Sequence, residues 1–121
     1  MTHDQGPIVR GELRITTSTV GTWTVLACEG DLDVTTSSEL RTAIRGASPE
    51  WGVVIDLDHV AFIDSTALGV LIAGQKRLQR EGRELRIVVM NPTILRIISI
   101  TGLDDMFTLC TSVQDASTTH G

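Results

Sequence analysis

A chain of 121 residues with 41% apolar and 21% charged residues has the size and composition of one soluble globular domain, able to bury a core without disulfides or metals. Its formal net charge of −5 works against docking on phosphate backbones or anionic lipid, and no segment reaches the roughly 18 apolar residues of a membrane span. With two Trp, two Phe and no Tyr, the core must be built mainly from Val, Ile and Leu, and single-stranded nucleic acid would find few stacking platforms.

Residues 1–11 read as a flexible polar leader. Met1 to Arg10 holds no apolar run, so no signal peptide is expected and the expected location is cytoplasmic. Glu12 to Thr17 alternates polar and apolar residues as a half-buried strand does, Gly21 marks a turn, and Trp23 to Cys28 forms a second strand ending at Glu29-Gly30. Two short strands around one turn predict a hairpin. After Asp31-Leu32-Asp33, one of Thr36, Ser37 and Ser38 caps a helix with the stripe Leu40, Ala43, Ile44 and Ala47. Gly46, Ser48 and Pro49 end it.

Trp51 to Leu57 is rich in β-branched residues and predicts a buried central strand with helices on both sides. A loop is then expected before a helix that starts at Asp64-Ser65-Thr66, buries Leu68, Leu71, Ile72 and Leu78, and has a polar tail from Gln75 to Arg80 before Gly82. Leu85 to Met90 predicts another buried strand. Asn91-Pro92 then supplies an N-cap and a first-turn proline for a helix carrying Ile94, Leu95, Ile97 and Ile98 up to Gly102. Met106 to Thr111 is read as a last short strand, followed by a short helix and a tail over residues 118–121. The predicted class is α/β: one domain over residues 12–117, with a mixed, mainly parallel sheet and helices packed on it.

The sharpest local signal is Phe62-Ile63-Asp64-Ser65-Thr66-Ala67-Leu68-Gly69. The free N–H groups of a helix's first turn, with its dipole, favour an oxygen-rich anion, and a phosphoryl group on Ser65 would sit there. Ala67 and Gly69 are small enough to leave a partner room to reach the hydroxyl. The plainer reading is helix capping, which by itself accounts for Asp64-Ser65. Asp31 and Asp33 likewise have a plain reading as turn residues, and Thr66 one as an early helix residue.

Together these residues are similar to a known family. The segment from Asp56 to Phe107 resembles the STAS domain of bacterial anti-sigma factor antagonists, whose helix start reads D-S-[ST]-G-L-G; here it is Asp64-Ser65-Thr66-Ala67-Leu68-Gly69. Gly30-Asp31-Leu32-Asp33 resembles the family's G-[ED]-L-D element, and Ile100-Thr101-Gly102-Leu103 its [ST]-G-L ending, with Phe107 beyond. Ala67 departs from the family's glycine; it should stiffen the helix start by up to about 1 kcal/mol, and its methyl is expected to crowd an approaching partner.

The resemblance implies that Ser65 is the phospho-acceptor and that Asp31, Asp33, Asp64, Ser65, Thr66, Ala67 and Gly69 contribute to a partner-binding surface. It implies a serine kinase that doubles as an anti-sigma factor, bound by the unphosphorylated form and released on phosphorylation, and a phosphatase that resets Ser65. No enzyme activity, cofactor, direct nucleic-acid contact or membrane contact is implied. The alternative it leaves is a STAS scaffold outside sigma control, with nucleotide binding as one form of it.

Other classes fit less well. Asp56 ends a buried strand as a receiver-domain aspartate would, yet no acidic pair follows Ile15 and no lysine lies near Met90; Lys76 is the only lysine. No P-loop, nucleophile elbow or HExxH occurs. His3, His59 and His120 are isolated, so no metal site is expected. Cys28 and Cys110 form neither a CxxC motif nor a disulfide framework, and are read as free thiols unless the fold brings their Cα atoms within about 7 Å as a redox pair.

Overall fold

The computed structural model describes residues 11–118. Strands β1 (Leu13–Val20) and β2 (Trp23–Leu32) pair antiparallel, with Val20 opposite Trp23 and Gly21 turning the chain at φ +60°. The predicted hairpin is therefore present. Helix α1 (Ser37–Gly46), strand β3 (Gly52–Ile63), helix α2 (Ser65–Arg80), strand β4 (Glu84–Val88) and helix α3 (Pro92–Ile100) follow. A 3₁₀ turn over Leu103–Asp105, strand β5 (Thr108–Cys110) and helix α4 (Val113–Ala116) complete the order. The sheet runs β1-β2-β3-β4-β5, with every pair after the hairpin parallel. The expected α/β class with a mixed, mainly parallel sheet is what the chain adopts.

Alternation along the strands splits the core in two. Leu26, Val53, Ile55, Leu57 and Ile87 face Leu40, Ile44, Leu71, Leu78, Ile94 and Ile98 of the three longer helices. Trp23, Val25, Val54, Val88 and Cys110 point the opposite way and are covered by Val113 and Ala116 of α4. Helices thus lie on both faces, but the second face has only the shortest one. Gly52 sits where strands meet most closely: a Cβ there would run into the Glu84 carbonyl and the Trp23 ring.

Arg86 anchors that second layer. It is 4% exposed, lies 4.6 Å from the Trp23 ring centroid, and meets both Glu84 carboxylate oxygens at 3.2 Å. Its Nη1 donates to the carbonyls of Ala116 at 3.1 Å and Thr118 at 3.0 Å, tying the end of α4 to β4.

Three sequence expectations need correction. Strand β3 does not stop at Leu57, and no loop precedes α2. Asp58 and His59 interrupt the apolar run, but the backbone stays extended because its second half pairs with Glu29–Leu32 of β2 across two register shifts. For the same reason β2 continues past Gly30 to Leu32, with Gly30 at φ +114° absorbing the irregularity. Gln75 is not part of a solvated tail; it is buried, and its Nε2 donates to the Met106 carbonyl at 3.0 Å. The free-thiol reading of Cys28 and Cys110 holds: they belong to clusters on opposite faces of the sheet, with β3 and β4 between their strands, a span of about 14 Å at roughly 4.8 Å per strand. They are free thiols and cannot form a redox pair.

Candidate functional site

The C-terminal ends of β2 and β3 bring the two sequence elements together. Asp31 is paired with Phe62 and Leu32 with Ile63, and the Asp64 N–H donates to the Leu32 carbonyl at 3.0 Å. Asp31, Asp33 and Asp64 therefore emerge together at the C-terminal end of these two inner strands, with Ser65 immediately after Asp64.

Asp64 is the N-cap of α2: its backbone is extended and its Oδ1 accepts from the Ala67 N–H at 3.1 Å. A cap of this kind is worth about 1 kcal/mol. The Leu68 N–H donates to the Asp64 carbonyl at 3.0 Å. Ser65 and Thr66 occupy the first exposed positions of the helix, where backbone N–H groups lack intrahelical acceptors. Capping and hydroxyl presentation thus fall to neighbouring residues: Asp64 organises the turn, and Ser65 stands in solvent.

Asp33 builds the adjoining loop. Its Oδ1 accepts from Thr35 Oγ1 at 2.7 Å and from the N–H groups of Thr35 and Thr36 at 2.9 and 3.1 Å. The hydrogen bond from the Thr35 hydroxyl, aided by the backbone N–H groups, holds this carboxyl below its ordinary range. Thr36 is the N-cap of α1, yet its hydroxyl does not cap; it bonds the Asp31 carbonyl at 2.7 Å. Asp31 Oδ2 accepts from the Gly11 N–H at 2.8 Å. Gly11, Asp31, Asp33, Ala61 and Phe62 line a shallow open cleft beside the helix start.

Two of the small residues named from sequence separate here. Ala67 is fully buried in the main core, so its methyl packs inward and does not crowd the surface, contrary to expectation. Gly69 is exposed, lies one turn beyond Ser65, and a Cβ there would meet nothing within 4 Å. Nothing within the chain requires glycine at that position.

Sequence reasoning did not assign two apolar residues to this surface. Val34 is 67% exposed and Phe62 48% exposed, beside the acidic residues. In β3 the inward phase slips twice, between Leu57 and Val60 and again between Val60 and Ile63, leaving Ala61 and Phe62 both outside. Periodicity alone gives no sign of such a slip, although an aromatic next to Asp64-Ser65 was a signal available to be read.

Asp56, the receiver-like aspartate, accepts from the Asp58 N–H at 3.0 Å within the sheet, and the antiparallel β1 departs from the all-parallel pattern that such a domain needs. Among the described residues no group of three or more His, Cys, Asp or Glu is placed to hold a metal ion, and no helix is long and apolar enough to cross a membrane.

Comparison with known proteins gives a consistent result. The family model for the STAS domain matches residues 14–116. An anti-sigma-B factor antagonist of Listeria monocytogenes is 33% identical over 79 residues, covering 64% of this chain and 69% of the relative. Another, from Staphylococcus aureus, is 31% identical over 96 residues, covering 78% and 89%. The crystal structure of an anti-sigma factor antagonist from Mycobacterium paratuberculosis superposes with a TM-score of 0.80 at 30% identity, over 87% of this chain and 91% of that one.

Proposed function

Because the chain belongs to the STAS domain family, we propose that it is an anti-sigma factor antagonist controlled by phosphorylation of Ser65. In this reading the unphosphorylated protein docks on an anti-sigma serine kinase and so frees a sigma factor. The kinase phosphorylates Ser65 and lets go, and a phosphatase restores the hydroxyl.

The observation that carries the reading is an exposed serine hydroxyl on a capped helix start, set among Asp31, Asp33 and Asp64 and flanked by the outward Val34 and Phe62. Neither Gly30–Ser38 nor Ala61–Gly69 contains Lys or Arg. A phosphoryl group adds about −1.5 to −2 charges. The helix N-terminus tolerates that charge, so the fold survives modification. No side chain of either segment neutralises it, so the charge is carried into the interface. Like charges brought together across an interface cost several kcal/mol, and each ~1.4 kcal/mol weakens affinity tenfold. Loss of roughly 100-fold in affinity follows without any refolding. Val34 and Phe62 supply the apolar contact that the same charge spoils.

The test is incubation with the cognate kinase and ATP, followed by peptide mapping and capture on immobilised kinase. Phosphate is expected on Ser65. Ser65→Ala should bind and resist release, and Ser65→Asp should bind weakly. Phosphate mapping to Thr66 or elsewhere, or an Asp variant as tight as wild type, overturns the proposal.

A further inference from the structure

The groove between α1 and α2 is lined from Val70 to Arg80, about 8 to 22 Å beyond Ser65 along the α2 axis at roughly 1.5 Å per residue. Its walls carry Arg41 and Arg45 from α1 and Arg77 and Arg80 from α2, and no acidic residue lines it. This occurs on a chain with 15 acidic and 10 basic residues, so the clustering runs against the overall charge. The floor is apolar, formed by Ile44, Val70 and Gly74. Gly74 lets the helices approach: a Cβ there would already lie 3.3 Å from Ile44 Cγ2.

Helix dipoles account for part of this arrangement, since Arg45, Arg77 and Arg80 sit in last turns. Arg77 Nη2 also donates to the Ile44 carbonyl at 3.1 Å, which offsets the negative end of α1. Arg41 lies too early in α1 for that explanation. Among the described residues the ion pairs involve Arg14, Arg83 and Arg86, and none involves these four. Arg77 Nε is buried without a hydrogen-bond partner. Four guanidinium groups with unspent donors around an apolar floor match a phosphate dianion, which guanidinium binds in a two-pronged fashion.

We propose that this groove binds a small phosphate monoester, its phosphate held by Arg41, Arg45, Arg77 and Arg80 and its apolar body resting on Ile44, Val70 and Gly74. The cavity of about 170 Å³ accommodates a phosphate bearing a small ring. The site does not depend on the Ser65 assignment.

Amide chemical shifts of the full chain, titrated with phenyl phosphate, inorganic phosphate or sodium chloride at matched ionic strength, test it. Saturating shifts confined to the groove residues of α1 and α2 are expected, with phenyl phosphate tighter than inorganic phosphate and chloride inert. Arg41→Gln with Arg80→Gln, both at exposed positions, should weaken phenyl phosphate at least about tenfold without lowering the melting temperature. Ala73→Phe, filling the groove from an exposed position with every arginine retained, should give a similar loss. An equal response to chloride, shifts centred on residues 64–67, or unchanged binding in these variants overturns the proposal. Equal affinity for the two phosphates overturns the role of the apolar floor.

Discussion

Replacing Arg86 with Met keeps most of the aliphatic volume under α4 while deleting the charge that ties α4 to β4. The variant loses the bonds to the Ala116 and Thr118 carbonyls, the pairing with Glu84, and the stacking on Trp23. Glu84 is 37% exposed and Thr118 is exposed, so water replaces much of what they lose. Ala116 is fully buried; its carbonyl is left without its guanidinium, at about 2 kcal/mol for a charge-assisted bond. The cation–π contact adds about 1 kcal/mol. A net loss of about 3 kcal/mol, at roughly 4 °C per kcal/mol for a domain of this size, lowers Tm by about 12 °C. The damage should also be local. Amide exchange within Val113–Ala116 should accelerate before that of β3, and Cys110, which packs in the same cluster as Ala116, should become reactive to maleimide. Calorimetry and exchange read both effects. A Tm shift under about 4 °C with α4 amides equally protected would show that apolar packing, not Arg86, holds the second layer.

Three further outcomes follow. Gly69→Ala should stabilise the fold by about 0.5–1 kcal/mol in urea melts, since helix-interior glycine is costly and the methyl meets nothing, yet, under the proposed function, weaken capture by the anti-sigma kinase; unchanged capture would remove Gly69 from the proposed docking face. Asp33 has a folded pKa below its unfolded value of about 3.9, so its contribution is fully present above that value and is lost as pH falls through the folded one. The Tm advantage of wild type over Asp33→Asn should therefore shrink on acidification from about pH 5 towards about pH 2, and a pH-independent difference would contradict the Thr35 and Thr36 bonds. Burial, with Asp56 nearby, pushes the Cys28 thiol up to about 12, so maleimide should leave Cys28 unmodified in the native protein at about pH 8, where a free thiol reacts. Rapid labelling of Cys28 would refute the packing around it.

The elements that sequence predicts well are those whose apolar period is uninterrupted. Leu40 and Ile44 mark α1, Leu68, Leu71 and Leu78 mark α2, and the Asn91-Pro92 start of α3 is reproduced, with Asn91 Oδ1 accepting from the Thr93 N–H at 2.9 Å. The failures share a cause. Asp58 and His59 look like loop residues because their side chains are polar, but strand pairing there is decided by backbone hydrogen bonds to β2, which leave no mark in hydropathy. Gln75 looks like a surface residue, and its burial depends on a partner at Met106 that is distant in the chain. For the candidate site, the proximity of Asp31 and Asp33 to Asp64 rests on the register between β2 and β3. Hydropathy offered no access to the outward turn of Val34 and Phe62.

The unbroken run of β3 into α2 has a consequence for how this chain can vary. With no slack between sheet and helix, one residue inserted between Asp58 and Ala61 would advance the backbone by about 3.3 Å and shift the residues after it off their present inward and outward positions. Ile63 would turn to solvent, Phe62 to the core, and Asp64 would lose its bond to the Leu32 carbonyl. Homologous replacements in this stretch should be tolerated side chain by side chain, while a change in its length should silence the protein even where every named residue is retained.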